Sequence, residues 1–311
     1  MSTLVCGSIA YDTIMVFHDR FKNHILPEQI HILSVSFLVP EMRREFGGCA
    51  GNIAYNLKLL GDEPLIMAAV GDDAGPYLDR LDRLGLSRAH VRHIEGSYTA
   101  QAFITTDLDD NQINAFHPGA MSFSHHNRIA DAENATLAIV APDGRDGMLR
   151  HAEELGALQI PFIFDPGQGL PMFSGDEILR FLDLAPYACF NDYEARLACD
   201  RTGRSLDELA GKLEALIVTR GAEGSQIYSG GRRIDIPCVP AKAVVDPTGC
   251  GDAYRAGLLY GVARNWPWEQ SGQLAAVMGA IKVASRGGQN HGPSRAEIAA
   301  CFAAAFGHAP W

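Results

Sequence analysis

The sequence predicts an α/β fold of the doubly wound kind, a mainly parallel sheet with helices on both faces. Three observations carry that expectation. First, six short apolar runs each end in small or acidic residues. Runs 4–6, 65–70 and 137–140 lead into Gly7-Ser8, Gly71-Asp72-Asp73 and Pro142-Asp143-Gly144, while runs 162–164, 187–190 and 216–218 lead into Asp165-Pro166-Gly167, Asn191-Asp192 and Thr219-Arg220-Gly221. Unbroken apolar runs of this length suit strands covered on both faces, the habit of a parallel sheet. Second, helix-period patterns lie between the runs, and strand alternating with helix gives an α/β sheet that binds ligands at the carboxyl ends of its strands. Third, 311 residues with 47% hydrophobic and 20% charged side chains can bury a large core, which excludes a disordered chain, a coiled coil and a collagen-like fibre.

The elements follow in order. After the opening strand, segment 13–46 breaks the alternation, with a β-like stretch over 31–39. Ile53, Leu57 and Leu60 fall at i, i+4, i+7 and predict a helix closed by Gly61. Leu78, Leu81, Leu84 and Leu86 predict the next. Segment 98–117 alternates apolar and polar residues at 102–106 and 112–116, which suggests antiparallel strands with one exposed face. Together 13–46 and 98–117 would form a small sheet standing off the main one. Stretch 205–216, acidic early and apolar at helical spacing, reads as helix, as do 253–264 and the Ala-rich 296–306. No Pro/Ser-rich linker and no repeat interrupts the chain, so residues 1–311 are expected to form one domain with the small sheet inserted.

Charge and cysteine use narrow the partners. Twenty-six Lys+Arg against 37 Asp+Glu leave a net charge of −11, which speaks against nucleic acid, whose binding needs a basic face. The start lacks a basic n-region and a long apolar stretch, and no run of 18 apolar residues occurs, so no membrane association is expected. Seven scattered cysteines without a C-x-x-C pair point to a reducing cytoplasm rather than to disulfides or zinc.

Two glycine-rich segments bear the chemistry. In 245–261, Asp246-Pro247 and Gly249/Gly251 make a turn before a helix with small residues at Ala253, Ala256, Gly257 and Gly261. The unpaired amides of such a helix start favour a phosphate, and glycine lets backbone approach closely. Asp252 is then either an N-cap or a general base that takes a proton from an attacking alcohol. Cys250 is either a thiol activated by the helix start or a small buried filler. In 45–61, Gly47, Gly48 and Gly51 open a second helix, and Asn52 is either its cap or a polar group offered to a ligand hydroxyl. Asp12 could accept bonds from vicinal hydroxyls or be a plain loop acid. Tyr11, Phe37, Phe103 and Phe116 either sandwich a planar ligand or form the core of the small sheet. His117, His125 and His126 have no third partner at metal-binding spacing and read as surface polarity.

Segments 47–61 and 246–261 resemble the two signature regions of the ribokinase-like (PfkB) carbohydrate and nucleoside kinases, about two hundred residues apart and in that order. Asn191 with Glu194 and the Thr219-Arg220-Gly221 turn between them fit the same family. The closest likeness is to bacterial broad-specificity nucleoside kinases, through segments 8–12, 42–52, 115–121 and 165–169. The resemblance implies an ATP-dependent kinase acting on the 5′-hydroxyl of a nucleoside, with a ribokinase-like fold and a β-sheet lid over the sugar. It implies Asp252 as catalytic base with Gly249, Cys250 and Gly251 as the anion hole, and Asp12, Gly48 and Asn52 on the sugar. Gln101 and Phe103 are expected at the nucleoside. Asn191, Thr219, Gly221, Gly224 and Gln112 are expected at the nucleotide. Glu194 would organise Mg²⁺ through water, and Asp246 and Thr248 would flank a monovalent cation such as K⁺. Pro247, Cys250, Tyr254 and Ala50 depart from the commoner residues, and Pro247 puts the cation site in question. Some relatives dimerise through the lid. The alternatives are a sugar kinase of the same fold, for which Arg43-Arg44 would matter if the sugar were phosphorylated, and a non-catalytic ligand-binding sensor. A Walker loop and an early G-x-G-x-x-G are both missing.

Overall fold

The computed structural model describes residues 2–25, 31–32, 34–109 and 111–311. In chain order its strands are β1 (Ser2–Cys6), β2 (Ala10–Val16), β3 (Glu41–Gly47), β4 (Leu65–Val70), β5 (Ser87–His93), β6 (Ala100–Thr106), β7 (Gln112–His117), β8 (Ala135–Val140), β9 (Phe162–Phe164), β10 (Tyr187–Asn191), β11 (Ala215–Thr219), β12 (Ser225–Ser229) and β13 (Arg232–Ile236). Its helices are α1 (Cys49–Leu59), α2 (Gly75–Leu84), α3 (Arg145–Ala157), α4 (Gly175–Leu184), α5 (Asp192–Thr202), α6 (Leu206–Ala210), α7 (Cys250–Val262), α8 (Trp268–Val283) and α9 (Arg295–Phe306).

The main sheet runs β13-β12-β11-β10-β9-β8-β1-β4-β5. From β11 to β5 every pairing is parallel, and only β12 and β13 are antiparallel. The continuous apolar runs have a direct cause, since alternate residues serve opposite faces. Val5, Ile66, Ile139, Ile163 and Ile217 enter the core beneath α1, α7, α8 and α9. Leu4, Met67, Val140, Phe164 and Val218 enter the core on the other face, beneath α3, α4 and α5. Each fully buried side chain of this size stabilises the fold by about 1.5–3 kcal/mol.

The small sheet has the order β3-β2-β6-β7. Its outer pairs are antiparallel, as the alternation predicts, but the central pair β2–β6 is parallel. Both central strands leave the main sheet from its β1 and β5 side and run outward together, so a purely antiparallel arrangement is not open to them. Residues 34–39 of the expected β-like stretch form no strand, while residues 26–30, Leu33 and Asp110 lie outside the described residues. Phe37 instead packs on Phe17 and Phe21.

The expected helix over 205–216 is also corrected. It begins with a capping box between Ser205 and Glu208 but stops at Ala210, and Leu216 belongs to β11. The apolar spacing there joins a one-turn helix to a strand. Charged β5 and the β12–β13 hairpin carry no long apolar run and escaped a reading based on such runs. The expected helix over 253–264 starts earlier, at Cys250, and ends at Val262.

The small-residue stripe of α7 explains how the site is held against the core, because α7 packs closely on α8. A Cβ placed at Gly257 would lie 2.5 Å from Ala275 Cα and 2.7 Å from its backbone nitrogen. Gly257→Ala is therefore expected to force the two helices apart and destabilise the chain by about 1–3 kcal/mol, measured as a lower urea midpoint at unchanged m-value.

Candidate active site

A cleft of about 850 Å³ opens between the two sheets. Its floor is made by the loops that follow β1, β8, β9, β10 and β11, through Ser8, Asp143, Gln168, Asn191 and Thr219. Its roof is the inner face of the small sheet, where Asp12, Ala102, Ile104, Asn114 and Phe116 point down. The starts of α1 and α7 close one end. Polar loops at the carboxyl ends of parallel strands thus converge where this topology places ligands.

Neither helix start is built as a side-chain cap. Gly249 is the N-cap of α7, with φ +76°, and Asp252 sits inside the first turn without a capping bond. The Cys250 N–H donates to the Pro247 carbonyl at 3.1 Å, and among the described residues the N–H groups of Gly249, Gly251 and Asp252 have no protein partner. Gly48 begins α1 with φ +85°, where a Cβ would strike Ser8 O and Ala10 N at 2.5 Å. Asn52 is one turn into that helix, so capping is not its role either. It donates from Nδ2 to Asp252 Oδ2 at 2.8 Å.

The orientation of that amide is imposed from outside the cleft. Arginine can only donate. Arg80 Nε donates to Gln289 Oε1 at 3.1 Å, and Arg80 also holds the Gln289 backbone carbonyl. Gln289 Nε2 must then face inward, where it donates to Tyr77 Oη at 2.7 Å and to Asn52 Oδ1 at 3.1 Å. With its oxygen occupied, Asn52 presents N–H to Asp252.

Burial pushes the Asp252 carboxyl up to about 6, while Asn52 and Arg255 pull it back and Asp165 adds to the rise. Burial, and then the nearby Asp252 charge, also raises Asp12 to about 6. Behind them Arg255 clasps Asp165 in a buried bidentate pair, 3.0 and 2.9 Å. Among the described residues Arg255 is the one cation lining the cleft, against the acids Asp12, Asp143, Asp165, Asp192, Glu194 and Asp252. Asn191 and Glu194 form a capping box at the start of α5, with both Glu194 oxygens accepting from Asn191. Glu194 is nonetheless at the cleft, its carboxyl raised chiefly by burial.

Of the residues expected at the site, Asp12, Gly48, Asn52, Asn191, Glu194, Thr219, Gly221, Thr248, Gly249, Gly251 and Asp252 line this one cleft. Others do not. Gln101 and Phe103 alternate with Ala102 and Ile104, so they face away from it; Gln101 bonds to Asp73 and Phe103 is exposed. Gln112 pairs with Thr106 at the outer end of the edge strand, beyond the lining. Gly224 shapes the turn before β12, where a Cβ would meet the Ile236 carbonyl. The half-buried Cys250 thiol is raised by burial, the direction opposite to an activated thiol. Tyr11 is buried against Phe46 and Tyr77 beneath Arg44, leaving Phe116 as the only one of the four proposed aromatics in the cleft. Arg43 pairs with Glu45 and Arg44 with Asp73, both away from it.

The expected monovalent-cation site is filled by the chain itself. Asp246 Oδ1 accepts from Thr248 N at 2.9 Å and Oδ2 from Gly287 N at 2.8 Å. The Asp246 carbonyl accepts from Lys282 Nζ at 2.8 Å, and the Ser285 carbonyl from the same atom at 2.9 Å. These residues do not fit a resident K⁺.

A buried acid beside free helix-start amides, at the carboxyl edge of a doubly wound sheet, is suited to a phosphotransferase with an alcohol acceptor. The chain belongs to the pfkB family of carbohydrate kinases, whose family model matches residues 10–295. Among individual proteins it is similar to the nucleoside kinase of Burkholderia thailandensis. The structure of that enzyme in complex with inosine has a TM-score of 0.91 at 56% identity over 99% of each chain. Its complex with ADP-inosine gives 0.89 at 57%, over 99% of this chain and 97% of that one. A nucleoside kinase of Methanocaldococcus jannaschii is 31% identical over 264 residues, 84% of this chain and 86% of its own.

The donor chain through Gln289 makes a prediction. Gln289→Glu keeps shape but removes the inward donor, so Asn52 turns its N–H to the new carboxylate and its oxygen to Asp252. The acid limb of kcat/KM against pH should move upward by about one unit, an effect of about ten-fold on the acid side.

Proposed function

We propose that the chain transfers the γ-phosphoryl group of ATP, as its Mg²⁺ complex, to the 5′-hydroxyl of a ribonucleoside such as adenosine, inosine or guanosine. One observation carries this: Asp252, Asp12 and the free amides at the start of α7 face a single cleft whose far end is apolar. Asp12 and the remaining bonding capacity of Asn52 suit the ribose 2′- and 3′-hydroxyls. Ile104, Phe116, Met121 and Met172 offer a planar base its walls, and Asn114 and Gln168 offer it amide edges. A free sugar would leave that end empty. A sugar phosphate would need a cation near the acceptor, and Arg255 is already locked to Asp165.

Asp252 accepts the proton of the attacking hydroxyl, which orients the oxygen and raises its nucleophilicity. The amides of Gly249, Gly251 and Asp252 face the oxygens of the moving phosphoryl, where fixed dipoles lower the barrier. Glu194, a poorly solvated carboxylate beside Asp192 at the cleft, is chemically suited to hold Mg²⁺ through water, and that ion supplies charge neutralisation on the phosphates. The small sheet acts as a lid that keeps water from the transferring group. Its outer face exposes Met42, Phe103 and Ile113, and a second copy would pair there.

An ADP-release assay with adenosine, inosine, ribose and fructose tests the acceptor class; preference for the free sugars overturns the nucleoside assignment. Asp252→Asn should lower kcat by roughly 10²–10⁴ in a folded protein. A base must be ionised, so kcat/KM should fall as pH drops through about 6, the value to which burial raises Asp252.

A further inference from the structure

We infer that the Lys282 ammonium is the built-in cation of the loop before α7, and that the chain works without any bound monovalent ion. This rests on the phosphotransfer reading of the Gly249–Asp252 turn.

Lys282 lies in the last turn of α8 with none of its surface exposed. A buried ammonium is costly unless its protons are satisfied. Here two backbone carbonyls converge on Nζ, from Asp246 on one side and Ser285 on the other, at 2.8 and 2.9 Å. Converging carbonyls are how proteins hold hard cations, and an ammonium group is close to K⁺ in size. The same spot is laced from other directions. Val245 N and Asp246 N both donate to the Val283 carbonyl, at 2.9 and 3.1 Å. Asp246 binds the amides of Thr248 and Gly287 through its two carboxylate oxygens. The ammonium therefore ties the 245–248 segment to the end of α8. That segment leads within one residue into Gly249, whose left-handed backbone starts α7. Lys282 touches neither the cleft nor a reacting atom, so it is a positioning residue that sets where the helix-start amides and Asp252 stand.

The test uses the full chain, with K⁺ itself as probe. Initial rates with inosine and ATP–Mg²⁺ are measured at constant ionic strength with K⁺, NH₄⁺, Na⁺ or tetramethylammonium as the only monovalent cation, and thermal unfolding is followed in the same series. The parent should show the same rate and the same Tm throughout. Lys282→Ala opens the carbonyl cage and should lose about 100-fold in kcat, as a misplaced site does. K⁺ or NH₄⁺ should then restore several-fold of that loss and raise Tm, and tetramethylammonium should do neither. Lys282→Met fills the space without charge and should lose activity with no rescue. A parent that needs K⁺ for turnover, or gains Tm selectively with it, overturns the inference. So does a Lys282→Ala protein as fast as the parent in tetramethylammonium. If Lys282→Ala does not fold, the parent's own series and Lys282→Met decide. The Tm series needs no turnover, so a parent that fails to phosphorylate nucleosides refutes the proposed function without deciding this question.

Discussion

The arrangement at the site depends on a single carboxylate being held, not merely present. Asp252 is buried in a chain with a net charge of −11, close to Asp12 and Asp165, and left to itself it would be protonated or would turn away. What holds it is the N–H bond from Asn52, with the Arg255 charge and the Cys49 thiol also favouring its ionised form. The polarity of that bond is settled at Arg80, a residue with donors only, and passed inward by Gln289. A donor at the rim of the molecule thereby decides which atom of a buried amide meets the acid. The fold serves this relation by bringing together elements far apart in sequence. Asn52 rides on α1, Gln289 follows α8, and Arg80 is on α2.

Much of the fold was legible because the main sheet is parallel. Strands covered on both faces need unbroken apolar runs, and all six runs proved to be strands of that sheet. The two glycine-bounded segments likewise announced helix starts, with free amides at α7 but with the Cys49 and Ala50 amides of α1 given to Ser8. Short-range cues failed where tertiary contact overrides them. Asp and Asn favour caps, yet Asp252 and Asn52 cap nothing, because each is the other's partner across 200 residues. The alternation in 98–106 marked a strand but not which face meets the cleft, and the aromatic and the amide drawn to the site, Phe103 and Gln101, fell on the wrong one.

Arg255, Gln289 and Lys282 were missed for a different reason, and Asp165, whose Asp-Pro-Gly turn was read, was given no role. Each matters through a partner remote in sequence. A charge three residues after Asp252, in a helix otherwise lined with small and apolar residues, was the available signal for Arg255. Lys282 offered a similar one, a lone cation in the apolar last turns of α8. A buried charge with no local reason asks for a distant one.

The acid-rich lining of the cleft has a consequence for how a nucleotide arrives. Asp165 and Arg255 neutralise each other and burial raises Asp143 to about 8, so the carboxylates of Asp12, Asp192, Glu194 and Asp252 are what leave the cleft negative toward a bare polyanion. Under the proposed phosphotransfer, a donor whose charge a divalent ion has already reduced would meet less of this repulsion than the bare nucleotide before any contact with α7. Added salt would then speed capture by screening the repulsion, the reverse of the slowing expected where opposite charges attract.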